Sequence, residues 1–112
     1  MSYTEIPVTE LAAKLTNDNS AYQLVDVREP QELAIAKLPY FINLPLSEYA
    51  DWSPEIYTRL DKDLPTYVLC HHGVRSAQMC QWLVSQGFSQ VSNIIGGIDA
   101  YSNLVDRTIP KY

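Results

Sequence analysis

The sequence predicts an α/β domain with a mainly parallel central sheet flanked by helices on both faces. Three observations carry that expectation. Short apolar runs recur at residues 22–27, 41–46, 67–69 and 91–95, and their near-continuous hydrophobicity suits strands buried on both faces. Stretches with helical spacing separate them. Two of the runs stop abruptly, one at alternating charges from Asp26 and one at a cysteine, Cys70. That is the pattern of parallel strands whose carboxyl ends face a crevice.

Taken in order, residues 5–8 read as an extended lead-in and Thr9 as a helix N-cap, with Leu11, Ala12 and Leu15 on the apolar face. The capping box is incomplete, since Ala12 stands where Glu or Gln would serve. Residues 17–20 are a polar turn. The strand of residues 22–27 breaks into Asp26-Val27-Arg28-Glu29-Pro30, and Pro30 opens a short helix carrying Glu32, Leu33 and Ile35. Asp26, Arg28, Glu29 and Glu32 read as an ion-pair and capping network in preference to catalytic groups. A further strand closes at Pro45, and Ser53-Pro54-Glu55 has the form of a helix start: cap, proline at the first position, acid in the first turn. Tyr49, Trp52 and Tyr57 are expected to pack as a lid or in the core.

The central strand, Tyr67 to Leu69, precedes a helix expected over Ser76–Gln86. Ala77, Cys80 and Val84 share its buried face, with Met79 and Trp82 as flanking packing. Gly87 stands at the helix C-cap with Phe88 closing over it, and Val91 to Ile95 is the last strand. Gly96-Gly97 turns into a short segment through Tyr101, and residues 102–112 read as a polar surface tail.

The chain has 112 residues, enough for one domain, with 46% hydrophobic and 19% charged residues, an ordinary globular balance. Eight basic residues against thirteen acidic give −5, which disfavours nucleic acid and anionic membranes as general partners. An attraction for anions has to be local. The two cysteines, Cys70 and Cys80, form neither a CxxC pair nor a disulfide framework, so a reducing compartment is expected. No apolar run approaches the roughly 18 residues of a membrane span. Met1 to Glu5 lacks a basic start and apolar core. The expected location is the cytoplasm, and the expected state a monomer.

The chemistry concentrates in Cys70-His71-His72-Gly73-Val74-Arg75-Ser76. Strand, tight loop and helix start bring backbone N–H groups and the positive end of a helix dipole to one point. A cysteine held there is expected to ionise more readily than a free thiol, whose pKa is about 8.5. Free cysteines at strand ends are usually packing. A packing cysteine, however, has no need of two histidines, a glycine and an arginine directly after it. Gly73 permits a left-handed backbone, and Arg75 offers a fixed positive fork. The stretch reads as a nucleophile cradle.

These residues resemble a known family. Leu24-Val25-Asp26-Val27-Arg28-Glu29-Pro30-x-Glu32 is similar to the first signature of the rhodanese (sulfurtransferase) domain. The Cys70–Ser76 stretch resembles its active-site loop, and Ile95-Gly96-Gly97-Ile98-x-Ala100-Tyr101 its C-terminal signature. The three occur in the family's order and spacing over about residues 5–101, which marks out a single rhodanese-like domain, 1–112, of the stand-alone form. One departure is Ala36-Lys37-Leu38, where the family usually has glycine, histidine and isoleucine.

The resemblance implies sulfur transfer without a bound cofactor. Cys70 would take the sulfane sulfur of a donor such as thiosulfate, become a persulfide, and pass the sulfur to cyanide or a thiol. The amides of residues 71–75 would stabilise the persulfide. His71, His72, Gly73, Val74, Arg75 and Ser76 would bind the donor, with Asp26, Arg28 and Glu32 as supporting structure. The histidines read as solvated loop residues ahead of catalytic ones. A metal on Cys70, His71 and His72 is not expected, because three adjacent residues rarely wrap one ion. Cysteine phosphatases and arsenate reductases of the same fold carry one more residue between cysteine and arginine. The four residues here, His71 to Val74, favour sulfur over a tetrahedral oxyanion. The alternative outside enzymology is a binding or sulfur-relay module with a protein donor or acceptor.

Overall fold

The computed structural model describes residues 2–17 and 21–112. Its order is β1 (Thr4–Pro7), α1 (Val8–Asn17), β2 (Gln23–Asp26), α2 (Pro30–Ile35), β3 (Ile42–Asn43), α3 (Tyr49–Trp52), α4 (Ile56–Arg59), β4 (Thr66–Leu69), α5 (Val74–Ser85), β5 (Val91–Ile95) and α6 (Gly97–Leu104). The strands form one sheet in the order β1-β5-β4-β2-β3, and every pairing is parallel. Pro7 is tolerated because β1 lies at an edge. Among the described residues no helix is long and apolar enough to cross a membrane.

The sheet is buried on both faces because its central strands alternate between two cores. On one face Val25, Val68 and Cys70 meet Trp52, Ile56, Met79, Cys80 and Leu83, from α3, α4 and α5. On the other, Leu24, Tyr67, Leu69 and Ile94 meet Leu11 of α1 and Ile98 of α6. Each fully buried aliphatic side chain contributes about 1.5–3 kcal/mol before entropy is set against it. The four central positions Thr66 to Leu69 are all buried, which explains why their sequence shows no polar alternation.

Helix α5 ends as its sequence requires. Gly87 takes φ +93°. Its N–H donates to Val84 O at 3.1 Å and that of Phe88 to Leu83 O at 3.1 Å, the paired bonds of a Schellman cap. Cys80 is buried, and that burial, with the neighbouring Cys70 charge, pushes its thiol up to about 12. It is a core residue.

Four expectations change. Helix α1 begins at Val8, not after a Thr9 cap, because the chain turns directly from β1 and buries Val8 in the core. Ser53 is not an N-cap: it has helical φ −63°, ψ −36° and continues a run of short helical turns from Leu46 to Arg59. Pro54 interrupts nothing there, since a new turn opens at Ser53 and a first-turn position needs no N–H. The third change concerns residues 102–112, which are not a surface tail. α6 runs to Leu104, Ile109 enters the core beneath it, and the Ser102 hydroxyl donates to Ile109 O at 2.7 Å. Lastly, α5 starts at Val74, two residues before Ser76, because Gly73 serves as the N-cap. The turn expected at 17–20 falls mostly outside the described residues.

The aromatics of α3 and α4 divide. Trp52 is buried, and its indole N–H donates to Pro45 O at 2.7 Å. Tyr49 packs edge-on against Trp52 and Trp82 but is half-exposed, and Tyr57 is exposed and stacks on Phe88. At the departure from the family pattern, Ala36 and Leu38 are buried while Lys37 is exposed. Tyr40, just beyond, adopts φ +70°.

Candidate active site

Connections leave β2 toward β3 on one side and β4 toward β5 on the other, so the winding reverses between β2 and β4. Ligand crevices form at such a point, outside the strands' carboxyl ends. Asp26 pairs with Leu69 across these two strands, and Val27 N–H donates to Leu69 O at 3.0 Å. The Asp26–Arg28 stretch and Cys70 therefore emerge side by side.

Two glycines shape the cysteine loop. Gly73, at φ +107°, turns the chain into α5 in a conformation L side chains rarely adopt. Gly97 lies so close to the loop that a Cβ would stand 2.4 Å from the carbonyl oxygens of both Cys70 and His71. Those carbonyls are held by the first turn of α6: Ile98 N–H donates to Cys70 O at 3.0 Å and Asp99 N–H to His71 O at 3.1 Å. With the carbonyls drawn down onto α6, the Gly73 N–H is the loop amide that meets the thiol. The glycine pair of the third sequence signature thus builds the floor of the cradle.

The Cys70 residue is 1% exposed. Gly73 N–H donates to its Sγ at 2.9 Å, and Ser76 Oγ lies 3.2 Å away. Ser76, also buried, bonds to Asn93 Oδ1 of β5 at 2.5 Å, and Asn93 Nδ2 donates to Gly73 O at 3.0 Å. Val74 is exposed on the first turn of α5. Ser76, expected as a donor-binding residue, instead faces inward against the Cys70 thiol.

Two arginine–carboxylate pairs flank the loop. Asp26 and Arg28 are 1% and 0% exposed and meet through Nη2–Oδ2 at 2.8 Å and Nε–Oδ1 at 3.1 Å. The Arg28 backbone N–H also donates to Asp26 Oδ1, at 3.0 Å. Burial acts to lower the Arg28 pKa, but its bonds to Asp26 and Tyr112 outweigh that and leave it raised. Glu29 and Glu32 cap α2 reciprocally, with Glu29 N–H donating to Glu32 Oε2 at 2.9 Å.

Arg75 is expected from sequence to greet an anionic donor. In the structure its fork grips Glu32 at 2.7 and 2.9 Å. That bidentate bond holds Glu32 down to about 2 and raises Arg75 further. Its guanidinium is committed to a carboxylate, so in this state it clamps the loop to α2 and presents no free charge to a donor.

The histidines also depart from expectation. His71 is half-buried in a stack, 4.0 Å from His72 on one side and 3.9 Å from the Tyr112 ring on the other. Burial first, then the His72 charge, lowers the His71 pKa. Its Nε2 is buried without a hydrogen-bond partner. His72 is exposed, with Nε2 3.9 Å from Asp99 Oδ2. Donor atoms of His71, His72 and Asp99 lie within 4.8 Å of one another. The imidazole planes, however, are only 27° apart and face to face. A metal binds in the plane of each ring, so these lone pairs run side by side and do not converge on an ion.

Sequence reasoning did not identify Asn93, Asp99 or Tyr112. Tyr112 takes a bond from Arg28 Nη1 at 2.8 Å and donates to Glu32 Oε1 at 3.0 Å. No local pattern marks these three, since each reaches the loop from a distant element. The Gly-Gly signature is the one available clue to Asp99, which lies within it two residues after Gly97.

Comparison with known proteins agrees with this geometry. The family model for the Rhodanese-like domain matches residues 7–104. The chain is 47% identical to the Rhodanese-like/PpiC domain-containing protein 12, chloroplastic, of Arabidopsis thaliana, over 96% of this chain and 37% of that protein. It is 34% identical to a sulfurtransferase of Allochromatium vinosum, covering 88% of this chain and 87% of that one. It is 35% identical to the adenylyltransferase and sulfurtransferase MOCS3-1 of Drosophila pseudoobscura pseudoobscura, over 96% of this chain and 24% of that protein. The crystal structure of a rhodanese-like domain protein from Staphylococcus aureus superposes with a TM-score of 0.76 at 28% identity, covering 97% and 98% of the two chains. The chain spans well under half of the Arabidopsis and Drosophila relatives and most of the bacterial ones. Fold and family model agree, and the chain belongs to the rhodanese-like domain family.

Proposed function

We propose that this domain is a sulfurtransferase whose Cys70 carries sulfur as a persulfide, moving it from a donor such as thiosulfate to cyanide or a thiol. The observation that carries the reading is the Gly73 N–H on Sγ at the N-terminus of α5, with the Cys70 and His71 carbonyls turned away onto α6. Anionic sulfur is stabilised there by backbone donors and the helix dipole. Relatives named as sulfurtransferases support it.

The chemistry is a double displacement. The Cys70 thiolate attacks the sulfane sulfur of thiosulfate. A Cys70 S–S bond forms, the donor's S–S bond breaks, and sulfite leaves with the bonding electrons. The acceptor, cyanide or a thiolate, then attacks the outer sulfur and Cys70 departs as thiolate. Charge and electrons balance at each step, and the cysteine itself is the carrier, so no cofactor is called for. His72, exposed on the cysteine loop, is the group left to meet an anionic donor, since Arg75 is held by Glu32. A reducing, cytoplasm-like compartment suits a free thiol.

A second reading, in which a partner protein supplies or receives the sulfur, is favoured by the similarity to MOCS3-1. Intact mass after incubation with thiosulfate separates the two. The expected result is one added sulfur in the wild type, removed by cyanide and absent in Cys70→Ser. Absence of any gain from thiosulfate favours a protein-borne donor.

A further inference from the structure

Four hydrogen bonds around Cys70 close on themselves, and their directions are fixed by chemistry. Gly73 N–H donates to Sγ at 2.9 Å, and Asn93 Nδ2 donates to Gly73 O at 3.0 Å. The amide nitrogen belongs on that side, because a flipped Asn93 would set two acceptor oxygens against each other. Oδ1 therefore faces Ser76 Oγ, at 2.5 Å. One hydrogen lies between these oxygens, and a carboxamide oxygen has none to give, so the Ser76 hydroxyl donates to Asn93. Ser76 Oγ then meets Sγ, 3.2 Å away, as an acceptor, and the thiol S–H donates to it.

The ring is complete only while Cys70 is protonated. Once Cys70 is ionised, Sγ accepts and no longer donates. Ser76 must then swing its hydrogen to sulfur, leaving the Ser76 and Asn93 oxygens apposed without a proton, or keep it and face a thiolate with a lone pair. Both members of the pair are buried, where water offers no substitute partner.

We propose that Asn93 is a positioning residue for the nucleophile: by fixing the direction of the Ser76 hydroxyl, it sets the pH at which Cys70 becomes reactive. The inference rests on Cys70 being the nucleophile. The other titratable groups around the thiol are Arg75 and Cys80 on α5, His71 and His72 in the loop, Asp26 and Glu32 on the β2–α2 side, and Asp99 on α6. None is among the hydrogen-bond partners of Sγ, which are Gly73 N–H and Ser76 Oγ, and Asn93 reaches the thiol proton through the Ser76 hydroxyl it holds.

The test is the pH dependence of Cys70 alkylation by iodoacetamide, followed by intact mass in a Cys80→Ser background. Asn93→Ala frees the Ser76 hydroxyl to donate to sulfur. Below the wild-type midpoint the rate should rise about 3- to 10-fold, the worth of one hydrogen bond, with the midpoint moved to lower pH. In a Ser76→Ala background the same Asn93 substitution should move the midpoint far less, because only the Asn93 bond to Gly73 O then remains to be lost. If Asn93→Ala does not fold, the near-isosteric Asn93→Leu, which fills the same space and cannot accept the Ser76 hydrogen, should move the midpoint in the same direction. A midpoint unmoved by these substitutions, or moved equally with and without Ser76, overturns the proposal. Persulfide loading with no Asn93 dependence sinks the ring and spares the sulfurtransferase reading. An Asn93-dependent midpoint in a protein that no sulfur donor loads does the reverse.

Discussion

Asp26–Arg28 and Glu32–Arg75 are the same chemical pair placed in two environments a few residues apart. The first is sealed, with side chains 1% and 0% exposed, while the second is open, at 17% and 35%. The sealed pair carries bonds from the Arg28 backbone and from Tyr112, so nearly every polar atom is used. It lies between β2 and the loop as fixed structure. Water reaches the open pair, and Glu32 occupies the guanidinium that an anion would otherwise meet. Burial converts an ion pair into architecture, whereas exposure leaves it a clamp that competes with ligands.

The largest expected effect comes from breaking the sealed pair. Arg28→Met leaves the Asp26 carboxylate buried without its partner, and such a loss costs about 3–5 kcal/mol. A urea titration against wild type reads it directly. A loss below about 1 kcal/mol would mean that solvent reaches Asp26 and the contrast is false.

Breaking the open pair does less to the fold and more to the loop. With Glu32 held down to about 2 in the folded state, its stabilisation is present above the unfolded carboxyl's pKa, about 4.3. It is lost as pH falls from there toward 2. Glu32→Gln should abolish that acid-dependent loss and cost about 1 kcal/mol at neutral pH. It also frees Arg75, so thiosulfate should load Cys70 faster at low ionic strength, with the gain fading as salt screens it. Stability measured at pH 3 and pH 7, and loading rates at two salt concentrations, check both parts. Identical acid sensitivity in the variant would show that the pair contributes nothing.

Tyr112→Phe sharpens the comparison with the smallest effect. The ring still stacks on His71, but the hydroxyl that joins Arg28 to Glu32 is gone. The expected cost is about 0.5–1.5 kcal/mol. Thermodynamic cycles with Arg28→Met and with Glu32→Gln tell which pair the hydroxyl serves.

Much of this was legible from the chain. The buried strands show as short apolar runs, the α5 C-cap as Gly87-Phe88, and the shared sheet edge as two runs that stop at Asp26 and Cys70. What was illegible has a common physical cause. Ser53-Pro54-Glu55 satisfies a local rule for a helix start, yet the preceding residues are already helical because Trp52 must reach the core. Arg75 reads as a free cation until α2 brings Glu32 beneath it, 43 residues away. Tyr112 lies in a polar stretch, and its role depends on Ile109 anchoring that stretch under α6. Local chemistry is written locally, while partners chosen by tertiary folding are not.

The grip of α6 on the Cys70 and His71 carbonyls has a consequence for the order of assembly. The thiol, Gly73 and Arg75 leave the ribosome well before Ile98 and Asp99, whose N–H groups turn those carbonyls aside. A chain synthesised only through β5 holds every residue of the cysteine signature and lacks the donors that shape it. The cradle therefore cannot be finished before the first turn of α6 has been made. On the reading proposed above, the setting that stabilises an anionic sulfur belongs to the folded domain and not to its cysteine signature alone.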